Sequence, residues 1–228
     1  MKLELPRGMR DVEPNEHEEI ELIREKFVQI IKKFNFRLMD PSPIEMLSTL
    51  SAKAGPSIMA DTYNFVDKGG RHIGLRFDYT VGLSRYVSTR RDLKFPAKLA
   101  SFGGVWRYDE PQMGRHRYFH QWDVEIFGSK NIEAEIVVIE LVAQFLKSLG
   151  LDAIIEINHK GILDDFISKE LKVVDQTKKD EFFRAVDKIS KKPFDEIMNE
   201  YSGKLNLHDL SRVLTFFKFS GSPDDLSS

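Results

Sequence analysis

No cysteine occurs in this chain, which excludes disulfides, thiolate metal sites and cysteine nucleophiles. No apolar run approaches the roughly 20 residues that a membrane-spanning helix needs, and the first residues lack the apolar centre of a signal peptide. A cytoplasmic protein with no membrane association is the expectation. An excess of basic charge is also missing. The 34 Lys and Arg are balanced by 36 Asp and Glu, for a net charge of −2, so any contact with nucleic acid must come from a local basic surface. There is no internal repeat and no low-complexity tract. What is present is an ordinary globular composition. Of 228 residues, 41% are apolar, enough for a core in one large domain or one and a half.

The most informative stretch runs from Ala97 to Gly128, AKLASFGGVWRYDEPQMGRHRYFHQWDVEIFG. It reads as two β-strands joined by the polar loop EPQMGRH. From Arg117 to Phe127 the pattern has period two. Tyr118, His120, Trp122, Val124 and Ile126 share one face, and Arg117, Phe119, Gln121, Asp123 and Glu125 the other, because successive strand side chains alternate. An antiparallel hairpin with one packed and one wet face is the plain reading. Three details ask for more. Gly103 and Gly104 lie inside a strand, where glycine marks close approach of a ligand or backbone. Arg107, Arg115 and Arg117 gather around the loop, and guanidinium forks suit phosphate and carboxylate. Asp123 and Glu125 lie beside the amide of Gln121, so a ligand carrying both signs of charge would suit this face.

The rest of the chain alternates helical and strand patterns. Residues 15–35 repeat apolar side chains at three and four (Ile20, Ile23, Phe27, Ile30, Ile31, Phe34), an amphipathic helix with Asn15 as its cap. Residues 36–45 read as a proline-interrupted edge strand, and 46–60 as a short helix and loop that includes AKAGPS. Residues 61–80 form a hairpin turning at Lys68-Gly69-Gly70, followed by a helix from Val81 to Arg90. In its return strand Asp78 and Thr80 share a face; either could instead cap the next helix. Residues 129–150 are a helix capped by Asn131 with Gly150 at its end. A strand is predicted over 151–158, then a helix with His159 as a structural cap or turn residue. Residues 170–228 are rich in Lys and Asp, with apolar helical patches at Phe182, Phe183, Val186, Ile189, Leu210, Val213, Leu214 and Phe217. The tail SGSPDDLSS is polar. His116 and His120 have strand parity opposite to Asp123 and Glu125, so no metal-ligand set is expected. No nucleophile elbow for a Ser–His–Asp arrangement exists.

The run R-Y-D-E-P-Q-M-G-R-H-R-Y-F-H-Q-W-D-V-E-I-F-G resembles motif 2 of the histidyl-tRNA synthetase family of class II aminoacyl-tRNA synthetases. L-P-R-G-M-R-D near the start is similar to the opening of that family, and L-R-F-D-Y-T resembles the segment that receives the amino acid, in its archaeal and eukaryotic form. N-H-K-G-I-L is also a family pattern. The implied fold is α+β: a class II antiparallel sheet flanked by helices over residues 1–165, then the start of a helical insertion domain over 166–228. The implied activity is ATP-dependent activation of L-histidine to histidyl-adenylate and transfer to tRNA(His).

The resemblance assigns Asp78, Tyr79, Thr80, Arg107, Gln121 and Glu125 to histidine. Asp78 would receive the α-amino group and Glu125 an imidazole nitrogen. Arg107 is the implied catalytic residue, bridging the histidine carboxylate and the α-phosphate of ATP. Asp109, Arg115, Arg117 and Phe119 join it at ATP: Arg115 and Arg117 on the outer phosphates with Mg²⁺, Phe119 stacked on adenine. Pro43 matches the motif 1 proline at a homodimer interface. The matched region corresponds to the first half of a family member. The segment R-G-L-D-Y-Y-T, motif 3 and the anticodon-binding domain are not found, so the expectation for the chain alone is weak activity or none. Glu110 stands where bacterial members often carry a basic residue, which bears on tRNA contacts of the loop. Two competitors are a non-catalytic regulatory subunit of ATP phosphoribosyltransferase and a plain scaffold domain.

Overall fold

The computed structural model describes residues 3–52 and 56–218; part of the AKAGPS run and the polar tail lie outside the described residues. The chain divides into two compact units, residues 1–155 and 156–228. The division comes ten residues before the boundary expected at 165, because the helix at 160–165 packs with the later helices. Each unit has its own core.

In the first unit the amphipathic helix is α1, Pro14–Lys33. Glu13 occupies the cap position and Pro14 the first turn, where a missing N–H costs nothing; Asn15 does not cap. The proline-broken stretch yields two short strands instead of one, β1 (Arg37–Leu38) and β2 (Ile44–Met46), and they join different sheets. Beyond α2 (Leu47–Ser51) come β3 (Asn64–Val66) and β4 (His72–Leu75). Their turn is held by the Asp67 side chain, which accepts from Gly69 N and Arg71 N, with Gly70 at φ +75°. α3 follows (Thr80–Thr89), then β5 (Ala97–Trp106), β6 (Tyr118–Phe127) and α4 (Ile132–Ser148). Asn131 sits at the cap of α4 without a side-chain hydrogen bond, and Gly150 ends it at φ +75°.

One sheet has the order β1-β5-β6, with β1 parallel and β6 antiparallel to β5; the other is β2-β4-β3, all antiparallel. The β5–β6 register pairs Gly103 with Gln121, Ser101 with Asp123 and Leu99 with Glu125, so these six share one face. The other face carries Phe102, Trp122, Val124 and Ile126 and packs on α1 and α4. At its centre Phe27 is fully buried, with ring centroids 5.4 Å from Phe145, 5.8 Å from Trp122 and 5.9 Å from Phe102. Burying such a ring contributes about 2–3 kcal/mol.

The strand expected over 151–158 does not form. Residues 151–159 have no strand or helix assignment, and Leu151, Ile154 and Ile157 are exposed. Apolar alternation makes a strand only when a neighbouring strand accepts its ladder, and among the described residues the first sheet ends at β6.

The second unit contains α5 (Lys160–Asp165), a π-turn over Phe166–Glu170, α6 (Gln176–Val186), α7 (Phe194–Tyr201) and α8 (Leu207–Lys218). His159 caps α5 as expected, its Nδ1 accepting from Gly161 N at 3.1 Å. Phe182, Val186, Leu210, Val213 and Leu214 meet Ile167, Ile197 and Tyr201 in the core.

Candidate functional site

The polar face of β5–β6 is roofed by the N-terminal end of α3. Beneath it, Tyr79, Leu83, Leu99 and Val105 form a small core with Phe119 against its edge. That packing brings the loop 77–80 over the strand residues 121–125, two segments more than forty positions apart.

Arg107 stands at one end. Its Nε donates to Phe77 O and its Nη2 to Gln121 Oε1, both at 3.0 Å, and its guanidinium carbon lies 5.1 Å from the centre of the Phe119 ring. A carbonyl, an amide and a ring thus aim the fork while none of them neutralises its charge. Because Gln121 Oε1 is occupied, its NH₂ group is left to donate. At the other end Thr80 Oγ1 lies 2.8 Å from Glu125 Oε1 and 3.4 Å from Asp123 Oδ2. Asp78 Oδ1 accepts from Val81 N at 3.3 Å, so it caps the start of α3, as one of its two readings from sequence has it. Burial pushes the Asp78 carboxyl above its ordinary range, opposed by the Val81 N–H and by the charge of Arg107. The site therefore has a cationic end and a carboxylate end.

Two assigned residues are placed differently from expectation. Tyr79 is fully buried in the small core, so its ring does not line an open pocket; Arg76 stacks over it at 4.4 Å. Its hydroxyl has no hydrogen-bond partner, and burial first of all pushes its pKa up to about 12. A Cβ at Gly103 would lie 2.6 Å from that hydroxyl, which explains why a glycine interrupts β5. Arg117 is also buried. It donates to Asp109 O at 3.0 Å and Arg7 O at 3.1 Å and stacks 4.0 Å over Tyr108. Its fork ties the N-terminal arm to the loop and does not stand free beside Arg115. Arg115 is exposed, with Nη1 4.0 Å from Asp109 Oδ2. Glu110 pairs with Arg7 at 3.0 Å.

The sequence reading gave no role to Arg76. It is buried and donates to Gly104 O at 2.9 Å, to Pro41 O at 2.7 Å and to Asp40. Its parity with Asp78 was the only signal available. Asp123, visible on the polar face, had no assigned role either. A cavity of about 410 Å³ is lined by Ile20, Ile23, Phe102, His120, Trp122 and Phe145 among others; of the assigned residues it includes Phe119 and none of those assigned to histidine.

Two stability measurements check this geometry. Tyr79→Phe should leave the unliganded protein as stable or more stable, since an unpartnered buried hydroxyl costs about 1–3 kcal/mol. Gly103→Ala should destabilise by about 1–3 kcal/mol through overpacking, and Tyr79→Phe should relieve part of that loss; urea midpoints of the single and double variants decide.

The second measurement is a pH series. Burial, then Glu125 and Asp78, pushes the Asp123 carboxyl up to about 6. A raised carboxyl favours the fold fully below its unfolded value of about 3.9, and that contribution is lost as pH rises through about 6. Asp123→Asn should therefore melt higher than the parent at pH 7.5, by about 1 kcal/mol after solvent screening, with the gap closing near pH 4.

The comparisons with known proteins agree with this architecture. A family model described as histidyl-tRNA synthetase matches residues 8–227. The histidine–tRNA ligase of Pyrobaculum neutrophilum is 35% identical over 195 residues, covering 85% of this chain and 46% of the relative. That of Treponema denticola is 30% identical over 224 residues, covering 97% and 49%. The chain thus spans about half the length of these curated relatives. Among solved structures, the histidyl-tRNA synthetase of Nostoc sp. PCC 7120 superposes with a TM-score of 0.84 at 20% identity, covering 99% of this chain and 51% of that one. A Bacillus halodurans protein described as an ATP phosphoribosyltransferase regulatory subunit/histidyl-tRNA synthetase gives 0.77 at 23%, covering 94% and 55%. At those identities the two structures speak for the fold alone, but the family model spans nearly the whole chain: it belongs to the histidyl-tRNA synthetase family.

Proposed function

We propose that this chain forms the amino-acid and α-phosphate half of a site that activates L-histidine with ATP and passes it to tRNA(His). The single observation that carries the reading is the aim of Arg107, fixed by Phe77 O and Gln121 between the carboxylate end of the site and the loop bearing Arg115. Activation joins two anions. A histidine carboxylate oxygen attacks the α-phosphorus, a C–O–P linkage forms, and the bond to pyrophosphate breaks. A fixed guanidinium between the anions lowers their repulsion without reorganising. Asp78 takes the α-ammonium, Glu125 accepts from a proton-bearing nitrogen of the imidazole, and Gln121 lines the pocket beside it. Phe119 stacks on adenine and Asp109 lies at its edge. The outer phosphates fall to Arg115, with Arg117 fixing the loop that carries it. Mg²⁺ would bridge the outer phosphates of ATP, as it does wherever it is held mainly by substrate phosphates.

The same reading makes the protein a cytoplasmic homodimer. Ile44, Met46 and Phe65 are exposed on one face of the second sheet, next to the Pro43 segment, and burying such a patch against a second copy suits an obligate interface. The helical unit is assigned to the tRNA.

Histidine-dependent exchange of pyrophosphate into ATP tests the proposal, in a polypeptide of the relatives' full length that carries this segment. Exchange with histidine and with no other amino acid is expected. Tight histidine binding without exchange would instead favour the regulatory-subunit reading.

A further inference from the structure

The carboxylate end of the site holds one acid more than the proposed chemistry uses. Asp123 lies between Gln121 and Glu125 on the same strand face. Its cross-strand neighbour Ser101 is fully buried and donates its hydroxyl to Met39 O at 2.8 Å, so it gives Asp123 nothing. Thr80 has a single hydroxyl proton, and the shorter of its two contacts goes to Glu125. The groups facing Asp123 are therefore Glu125 on β6, Asp78 and Thr80 at the start of α3, and the Val124 N–H; Arg107 is engaged with Phe77 O and Gln121. A second polar group beside this face is also unmatched. The Tyr79 hydroxyl is buried without a partner. It lies against Gly103, which pairs with Gln121 and is two residues along β5 from the partner of Asp123. The charge of Asp123 reaches it.

We propose that Asp123 is a specificity-determining residue which, paired with Glu125, binds the histidine ring as imidazolium. The inference rests on the histidine reading above. Two carboxylates sharing one hydroxyl are short of positive charge, and a ring N–H at each carboxylate supplies it. The consequence is a proton count. At pH 7.5 free imidazole is mostly neutral, with a pKa of about 6.5, and Asp123, pushed up to about 6, is mostly ionised. Binding as imidazolium then takes up about one proton from buffer. At pH 5 the free ring is already charged and Asp123 holds a proton, so binding releases about one.

The test is calorimetric titration of the 228-residue chain with histidine, in buffers of different ionisation enthalpy at pH 5 and 7.5. Expected are uptake at pH 7.5, release at pH 5, and, in Asp123→Asn, affinity at pH 7.5 lower by about tenfold or more with the uptake gone. Histidine binding with no uptake at pH 7.5 overturns the proposal and leaves the histidine reading standing. Uptake that survives in Asp123→Asn assigns the role to Glu125 alone and also overturns it. Absence of histidine binding here and in a polypeptide of the relatives' full length overturns the histidine reading itself. If Asp123→Asn does not fold, Asp123→Ser is read the same way.

Discussion

Replacing Arg107 with Ala should reduce histidyl-adenylate formation by at least about 10³-fold, the scale seen when a fixed donor or arginine is taken from a phosphoryl-transfer site. The loss should fall on the chemical step more than on the fold. Arg107 gives the protein two hydrogen bonds, to Phe77 O and Gln121 Oε1, and its removal costs the fold only about 1–2 kcal/mol. Arg107→Lys keeps a charge but not the two-pronged geometry, so it should recover little. Pyrophosphate exchange in a full-length polypeptide measures the effect, with a urea melt as the control. Near-normal exchange in Arg107→Ala would remove the residue from the mechanism.

Arg76→Ala should be the most damaging change to the fold, at about 2–5 kcal/mol, the scale for leaving two buried carbonyl oxygens unpaired at about 1–3 kcal/mol each. Arg76 is 6% exposed, and its fork serves Gly104 O, Pro41 O and Asp40 while its plane covers Tyr79. Removing it strands two carbonyl oxygens. Asp40 is largely exposed and rehydrates, so it contributes little to the loss. With total stabilities of about 5–15 kcal/mol, such a variant stands near the edge of folding. Arg76→Lys should fall between the two, since one ammonium cannot reach both carbonyls in the same geometry. The urea midpoint reads the order. Histidine binding should weaken in parallel, because Arg76 holds Tyr79 under Gly103, and Thr80 and Asp78 flank Tyr79.

Much of the site was legible because strand parity is simple. Once Arg117–Phe127 is seen to alternate, Gln121, Asp123 and Glu125 must share a face, and the β5–β6 register bears this out. The helix periods of α1 and α4 and the His159 cap follow equally local rules. What sequence could not show are contacts decided in three dimensions. Nothing local to Arg117 says that its fork closes on Arg7 O, 110 positions away. Nothing in L-R-F-D-Y-T separates the buried Tyr79 from the site-facing Thr80, because strand alternation ends at Leu75 and the chain is turning into α3, with Tyr79 at its cap and Thr80 its first residue. The run at 151–158 has the right alternation for a strand, but pairing is a property of two strands, and here no ladder receives it.

The central claim is that residues 78–125 hold a histidine pocket. The direct measurement is calorimetric titration of the chain with histidine, with phenylalanine and glutamine as controls for ring shape and amide chemistry. Selective binding of histidine is predicted, because a site lined with hydrogen-bonding groups rejects ligands that leave them unpaired. Equal binding of phenylalanine, or binding of none of the three, would contradict it.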